Sequence, residues 1–156
     1  MFINNFLISF GLFLLVYFPH KNLVFQSSVI AESNYTLVSK INSDKIAQQN
    51  LQQAGKEIYE DFCIQCHGAN GKGNGKNFPP LDGSDWLTKK RTQSIHAVKF
   101  GQSGVIVVNK KTFNNVMSAM GLSNEEVADV MNYIMNSWSN KQSKKVTKEE
   151  VANIKK

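Results

Sequence analysis

The chain has 156 residues and a basic balance, with 18 Lys and Arg against 12 Asp and Glu for a formal net charge of +6 at pH 7. The positive charge concentrates at residues 89–91, 110–111 and 141–148, which favours a solubilising surface or electrostatic steering toward an acidic partner or an anionic membrane. Neither a recognition motif nor an aromatic platform accompanies these lysines, so we expect no nucleic-acid partner.

The first 31 residues have the features of an export leader. Residues 6–18 form an apolar run that fits a secretory h-region of about 7–15 residues better than a membrane span of about 20. Val29 and Ala31 supply the small residues of a cleavage site before Glu32. We therefore predict residues 1–31 to be a signal peptide; the alternative is an uncleaved anchor that tethers the protein to a membrane.

The segment before the cysteines predicts a linker followed by a helix. Residues 32–43 are polar and show no helical period, which indicates a linker. Ser43 and Asp44 then supply N-cap chemistry for a helix that ends near Phe62. Gly55 lies within this helix, where a glycine costs about 1 kcal/mol relative to alanine. A glycine at this place predicts the close approach of another helix.

Residues 63–67 carry the most informative motif of the chain. Cys63, Cys66 and His67 have the C-x-x-C-H spacing of a c-type haem attachment site. Each thiol can add to one vinyl group of the porphyrin, and the histidine can coordinate the iron. A thioredoxin-like dithiol would need a βαβ pattern, and a structural zinc site would need a second ligand pair; the sequence has neither. We predict one covalent haem c, which is attached outside the cytoplasm, in agreement with the export leader.

Short elements follow the motif. Residues 68–75 include four glycines, which permit positive φ values, and predict a tight loop. A phosphate-binding loop is the alternative, but it would end in G-K-[ST], and this stretch does not. The sequence then predicts a short helix near Ser84 and a helix over 92–100. A small hairpin is predicted from residues 105–108 and 112–116.

The last predicted helix begins at a capping box formed by Ser123 and Glu126, and its apolar residues repeat at helical spacing as far as Trp138. Residues 141–156 are rich in lysine and are predicted to be a basic C-terminal tail. A last short helix could begin at Thr147 within this tail.

Five side chains are candidates for the second axial position of the iron. Met131 and Met135 lie four residues apart on the last helix, which favours core packing. His96 lies within a short amphipathic helix, where a surface or packing role is the better interpretation. Met117 and Met120 lie in the loop before the last helix and remain candidate ligands.

Residues 54–138 resemble the class I c-type cytochromes. The resemblance rests on Gly55, Tyr59 and the residues 63–68 that follow. It implies an all-α, cytochrome c-like fold over residues 44–140, with the haem in the core and one short β-hairpin as an addition. In this family the N-terminal and C-terminal helices cross, which here would bring Gly55 against Val130, Tyr133 and Ile134.

The resemblance also implies roles for individual side chains. Pro79, in preference to Pro80, would accept the Nδ1 proton of His67. Met117 would be the distal ligand, and Met120 is the alternative because Ser118 stands where the family commonly has proline. Two further candidates for contact with the haem are Leu81 and Trp86. The tryptophan would pack on the haem or bond a propionate; the alternative is a simple core position.

The implied function is outer-sphere transfer of single electrons by cycling Fe(III) and Fe(II), performed by a periplasmic or otherwise extracytoplasmic electron carrier that is not an enzyme. Its donor and acceptor would be redox proteins, among them membrane or periplasmic oxidoreductases. One alternative is a five-coordinate haem enzyme or gas sensor. Another is a haem subunit of a larger oxidoreductase complex, because part of the chain looks like domains that serve copper nitrite reductases, oxidases and sugar or alcohol dehydrogenases.

Overall fold

The computed structural model describes residues 24–156, with side chains from residue 35 onward. The chain divides into two compact units, Met1–Ile41 and Asn42–Lys156, and the second contains the fold described below. The apolar run at residues 6–18 lies outside the described residues. Among the helices of the described part, none combines the length and the apolar character that crossing a membrane requires.

Helices dominate the described chain, and the predicted all-α fold with one short hairpin is confirmed. The elements in chain order are α1 (Val24–Phe62), α2 (Ile64–His67), α3 (Asp85–Lys89), α4 (Arg91–Phe100), β1 (Val105–Val108), β2 (Lys111–Asn114), α5 (Asn124–Ile134) and α6 (Lys148–Asn153).

The predicted linker at residues 32–43 and the predicted helix start at Ser43 are wrong, because α1 already begins at Val24. Between Val24 and Ala54 the sequence has neither glycine nor proline, so nothing interrupts the helix. The side chains of residues 35–51 are exposed, which explains why this part lacks an apolar period. Residues with N-cap chemistry are tolerated inside a helix when no stop signal precedes them.

The start of α5 is as predicted, whereas its end is not. Ser123 accepts a hydrogen bond from the backbone of Glu126, whose carboxylate accepts one from the backbone of Ser123, so the capping box is present. The helix ends at Ile134 and not at Trp138. Ser137 Oγ donates to Tyr133 O at 2.7 Å, and Trp138 adopts a φ of 55°, which is incompatible with continuing the helix.

The predicted crossing of the first and last long helices is centred on Gly55. A Cβ atom at this position would lie 2.7 Å from Cβ of Tyr133 and 2.8 Å from the carbonyl carbon of Asp129. Real side chains do not tolerate such contacts, so the two backbones come this close because residue 55 is glycine. One turn later, Tyr59 is buried and its ring packs on Tyr133, with centroids 5.6 Å apart.

The hairpin is joined to the start of α3 by a reciprocal pair of hydrogen bonds. β1 and β2 are antiparallel, with Val105 opposite Asn114. Asn109 and Lys110 form the turn with φ values of 50° and 65°, the conformation that two-residue hairpin loops favour. Asn109 Oδ1 accepts from Asp85 N at 2.9 Å, and Asp85 Oδ1 accepts from Asn109 N at 2.8 Å.

Residues 141–156, predicted to be a basic tail, pack onto the core. Val146 and Val151 are buried. The side-chain amide of Asn132 donates to Val146 O and accepts from Val146 N, both at 2.8 Å. The short helix predicted after Thr147 is present as α6, and Lys99 Nζ donates to Val151 O near its end at 2.8 Å.

Arg91 holds this C-terminal segment against α4. Its guanidinium forms a two-point contact with Glu150, with Nε 2.7 Å from Oε1 and Nη2 2.8 Å from Oε2. It also donates to the carbonyl oxygens of Lys144 and Lys145. The sequence placed Arg91 in a cluster of surface charge, whereas its side chain is largely buried.

Replacing Gly55 by alanine is expected to destabilise the protein by about 1–3 kcal/mol, the usual cost of overpacking a close contact. The added methyl group would meet Asp129 and Tyr133, which outweighs the gain in helix propensity. Urea denaturation followed by far-UV circular dichroism measures the change. The matched control is Lys56→Ala on the exposed face of α1, which should change the stability by less than about 0.5 kcal/mol. Equal stabilities for both variants would contradict the crossing.

The contact between Glu150 and Arg91 predicts a pH-dependent stability. Hydrogen bonding to Arg91 lowers the pKa of the Glu150 carboxyl below its usual value. Because the folded-state pKa is depressed, its contribution is complete above the unfolded-state pKa and is lost as the pH falls through the folded-state pKa.

Glu150→Gln should therefore cost about 1 kcal/mol at neutral pH. The difference from wild type should shrink toward zero as the pH falls from neutral through the depressed folded-state pKa of this carboxyl. Denaturation curves across this pH range test it, with Asp61→Asn as the exposed control. A difference that stays constant with pH would show that the carboxylate charge is not what stabilises the contact.

Candidate functional site

His67 is the last residue of α2, the short helix that follows the turn after α1. Its side chain is buried, and Nδ1 lies 3.0 Å from the carbonyl oxygen of Pro79. A carbonyl only accepts, so Nδ1 carries the proton and Nε2 keeps its lone pair. Within the described residues, Nε2 forms no hydrogen bond. Burial lowers the pKa of His67, which favours the neutral imidazole that can bind a metal.

The predicted contact with Pro79, and not with Pro80, is present. The loop that presents this carbonyl is folded around Asn74, whose Oδ1 accepts hydrogen bonds from the backbone of residues 76–78 at 2.8–3.0 Å. Gly73 N donates to His67 O at 2.8 Å. Gly73 has a φ of 60°, and a Cβ there would lie 2.8 Å from Pro79 O. The glycines therefore allow the loop to bring the Pro79 carbonyl oxygen to Nδ1 of His67.

A buried asparagine fixes the other end of this loop. The amide of Asn140 donates to Leu81 O at 2.9 Å and to Ile134 O at 2.8 Å, and its Oδ1 accepts from Gly83 N at 3.0 Å. It thereby joins the loop to the end of α5. The role of Asn140 was not predicted, because a single asparagine beyond a helix has no local pattern that indicates a distant partner.

Two apolar cavities of about 250 Å³ and about 70 Å³ meet at His67. Both are bordered by Cys63, Trp86 and Met117, and the larger is also bordered by Cys66. Leu81 borders the smaller one. In the described part of the chain, neither cavity is lined by an Asp, Glu, Lys or Arg side chain.

The two thiols lie in different environments. Cys63 is half-buried and Cys66 is exposed, and neither forms a disulfide bond within the described residues. Burial raises the pKa of the Cys63 thiol to about 11, and the neighbouring Cys66 contributes to the increase. Residues 24–156 contain no group of three or more His, Cys, Asp and Glu side chains that could hold a metal ion by themselves.

Met117 borders both cavities, whereas Met120 borders the larger one and is more exposed. The backbone of Met117 is fixed by two hydrogen bonds to Gln102, of 2.8 and 2.9 Å. Gly101 allows this approach, since a Cβ there would lie 2.7 Å from Met117 O. The bridge holds the loop in place although Ser118 follows the methionine.

Trp86 lines both cavities, and its indole N–H donates to Val107 O at 2.8 Å. The ring therefore forms part of the cavity wall, while its polar atom holds β1 in position. Of the other candidate ligands, Met131 and Met135 are buried in the core, and Met131 also lines the smaller cavity. His96 packs on Phe100 with ring centroids 5.2 Å apart and does not line either cavity.

This arrangement fits a c-type haem. The apolar walls suit a large flat porphyrin, the two thiols lie at the cavity edge, and a neutral imidazole has a free Nε2. The described cavity walls have no Asp, Glu, Lys or Arg side chain. This suits the apolar faces of a porphyrin, which could not pair with a buried charge and would leave it at a high cost in free energy.

Comparison with known proteins agrees with this chemistry. The cytochrome c family model matches residues 52–138, which is more than half of the chain. Cytochrome c-552 of Thermus thermophilus is 37% identical over 112 residues, covering 66% of this chain and 85% of that protein.

Larger redox proteins contain similar segments. The cytochrome c subunit of the quinone alcohol dehydrogenase of Gluconacetobacter polyoxogenes is 27% identical over 128 residues, 80% of this chain and 27% of the subunit. The Cbb3-type cytochrome c oxidase subunit FixP of Bradyrhizobium diazoefficiens is 36% identical over 86 residues, 51% of this chain and 28% of that subunit.

The covalent haem c attaches at Cys63 and Cys66. Because the family model matches, and because the helix crossing and the cavity beside the motif agree with it, the chain belongs to the cytochrome c family as a class I monohaem c-type cytochrome.

Proposed function

We propose that this protein is an electron carrier whose haem iron is held between His67 and Met117. When bound, the haem supplies a one-electron change between Fe(III) and Fe(II). The observation that carries the proposal is the placement of His67 and Met117 on the walls of the same apolar cavities, each with its backbone or ring fixed by hydrogen bonds.

The contact between His67 and Pro79 supports the ligand role of the imidazole. A carbonyl acceptor at Nδ1 fixes the tautomer and the ring orientation and makes the lone pair of Nε2 a stronger electron-pair donor to the iron. The bridge from Met117 to Gln102 restrains the backbone from which the thioether side chain extends. Ligands that are fixed before the oxidation state changes limit the structural rearrangement that accompanies electron transfer.

The cavity walls favour a carrier over an enzyme. Acid–base catalysis needs a titratable side chain within reach of the reacting atoms. Among the described residues that line the cavities, His67 is the one histidine, and its Nδ1 is engaged by Pro79. Trp86, Phe113 and Val98 exclude water and favour the less charged, reduced iron.

A second candidate is a role as the haem subunit of a larger oxidoreductase. It is favoured by the relatives named as subunits of a quinone alcohol dehydrogenase and of a cbb3-type oxidase, of which this chain spans about a quarter. Both roles require redox protein partners. We also propose a periplasmic or otherwise extracytoplasmic location, either free or with a membrane anchor, which the signal peptide or anchor predicted for residues 1–31 supports.

Met117→Ala is expected to remove the distal ligand from the haem-loaded protein. The weak long-wavelength band that marks thioether ligation of the oxidised iron should disappear, and the reduced protein should bind carbon monoxide rapidly. The reduction potential should fall on the order of 0.1 V, within the roughly 0.8 V range that axial ligands control.

Met120→Ala is the matched control, because Met120 borders the same cavity. It should keep the band and the potential. Loss of the band in Met120→Ala alone would make Met120 the ligand. Rapid carbon monoxide binding by the wild-type protein would contradict the carrier function and favour a gas sensor or an enzyme.

A further inference from the structure

Three consecutive residues beyond the end of α5 bind the loop that follows the haem motif. This loop covers residues 68–83, and we call it the proximal loop because it presents a carbonyl oxygen to His67. The family match ends at residue 138, so two of the three residues lie beyond it. We call the three residues the clasp; they are Trp138, Ser139 and Asn140.

The indole of Trp138 holds the first part of the proximal loop. Its N–H donates to Ala69 O at 3.1 Å. A Cβ atom at Gly71 would lie 2.5 Å from Cζ3 of the indole, so the ring and the loop come this close because residue 71 is glycine. The indole also packs on the ring of Tyr59, with centroids 5.4 Å apart, and Tyr59 OH donates to Gly68 O.

The other two residues of the clasp hold the last part of the proximal loop. Asp82 Oδ1 accepts hydrogen bonds from the backbone N–H of Ser139, at 3.0 Å, and from its hydroxyl. Hydrogen bonding by Ser139 lowers the pKa of the Asp82 carboxyl, which therefore remains an acceptor at neutral pH. The side chain of Asn140 donates to Leu81 O and accepts from Gly83 N. Three successive loop residues are thus bonded to the clasp.

The two parts of the proximal loop meet at Gly71. Its carbonyl oxygen accepts from Leu81 N at 2.6 Å and from Asp82 N at 2.9 Å. Pro79 lies two residues before Leu81, and the two successive prolines have fixed φ angles, so a displacement of Leu81 also displaces the Pro79 carbonyl. The distance of 3.0 Å between Pro79 O and His67 Nδ1 therefore depends on how the loop is closed.

The backbone at Trp138 has the conformation that brings the clasp to the loop. Its φ of 55° is uncommon for a bulky residue and persists where surrounding contacts impose it. The chain leaves the helical path here, and Ser139 and Asn140 then reach the proximal loop. In the described part of the chain, no clasp residue borders either cavity. An effect of the clasp on the haem must therefore pass through the proximal loop.

We propose that Trp138 and Asn140 are positioning residues that keep the Pro79 carbonyl bonded to His67 Nδ1 and thereby set the donor strength of the proximal ligand. The proposal rests on the role of His67 as an iron ligand in the proposed function. A carbonyl acceptor at Nδ1 makes the imidazole a stronger ligand, which favours the more charged Fe(III). Weakening this hydrogen bond should therefore raise the reduction potential.

The test measures how fast the Nδ1 proton of His67 exchanges with solvent in the haem-loaded, reduced protein, relative to the backbone amide of Val130 in α5. Trp138→Leu keeps apolar volume but loses the indole N–H and the flat ring. It should increase the ratio of the two exchange rates about tenfold, the equivalent of one hydrogen bond. Asn140→Ala, which releases the other part of the loop, should increase it as well. Trp138→Phe keeps a ring beside Gly71 and should restore most of the protection.

The midpoint reduction potential is the second measurement. It should rise in Trp138→Leu and in Asn140→Ala and should return toward the wild-type value in Trp138→Phe. The matched control is Val151→Ala, because Val151 is a buried residue of α6 that does not border either cavity in the described chain. This control should lower the global stability, change both exchange rates equally and leave the potential unchanged.

An unchanged exchange ratio in Trp138→Leu would show that the clasp only stabilises the fold, and would overturn the proposal. So would a potential that stays constant or falls. The two substitutions act on different parts of the loop, so either one is sufficient if the other prevents folding. Failure of the carrier function appears as rapid carbon monoxide binding by the wild-type protein, whereas failure of this proposal appears in the exchange ratio, so the two are distinguishable.

Discussion

The close contact between α1 and α5 at Gly55 is the constraint on which the site depends. It fixes the last two turns of α1 relative to α5, and hydrogen bonds within these turns connect the contact with the motif. Tyr59 OH donates to Gly68 O at 2.7 Å, and Cys63 N donates to Tyr59 O at 2.9 Å. Burial raises the pKa of Tyr59, so its hydroxyl remains a donor. The position of His67 therefore depends on the packing of these two helices.

Two parts of the fold that the sequence predicted have local causes. The capping box at Ser123 and the turn at Asn109 each depend on the chemistry of a few neighbouring residues. The helix crossing at Gly55 joins distant segments, and its partners on the last helix were implied by the family resemblance. The ends of helices depend on the absence of stop signals as well as on the presence of capping side chains. The continuation of α1 through Ser43 and the early end of α5 follow from absent stop signals and from side chains that satisfy the last carbonyls.

The roles of residues that join distant segments could not be predicted from the sequence. Arg91 and Asn140 each bond to partners more than fifty residues away, and nothing in their local spacing indicates it. The missing proline after Met117 shows the same limitation. The sequence indicated a less rigid loop, whereas the backbone of Gln102 supplies the restraint from another part of the chain. The motif identifies the cofactor, and tertiary contacts decide how firmly its ligands are held.

The cavity wall and the exposed lysines differ in how strongly they can act on the haem iron. In the described chain the wall has no Asp, Glu, Lys or Arg side chain, so the surroundings of the iron are apolar, and this environment influences the reduction potential. Lys144 and Lys145 are exposed to solvent, where their field is screened over about 8–10 Å at ordinary ionic strength. Substitutions of these lysines should therefore leave the potential almost unchanged, whereas substitutions of Trp86 should change it, because this ring belongs to the cavity wall.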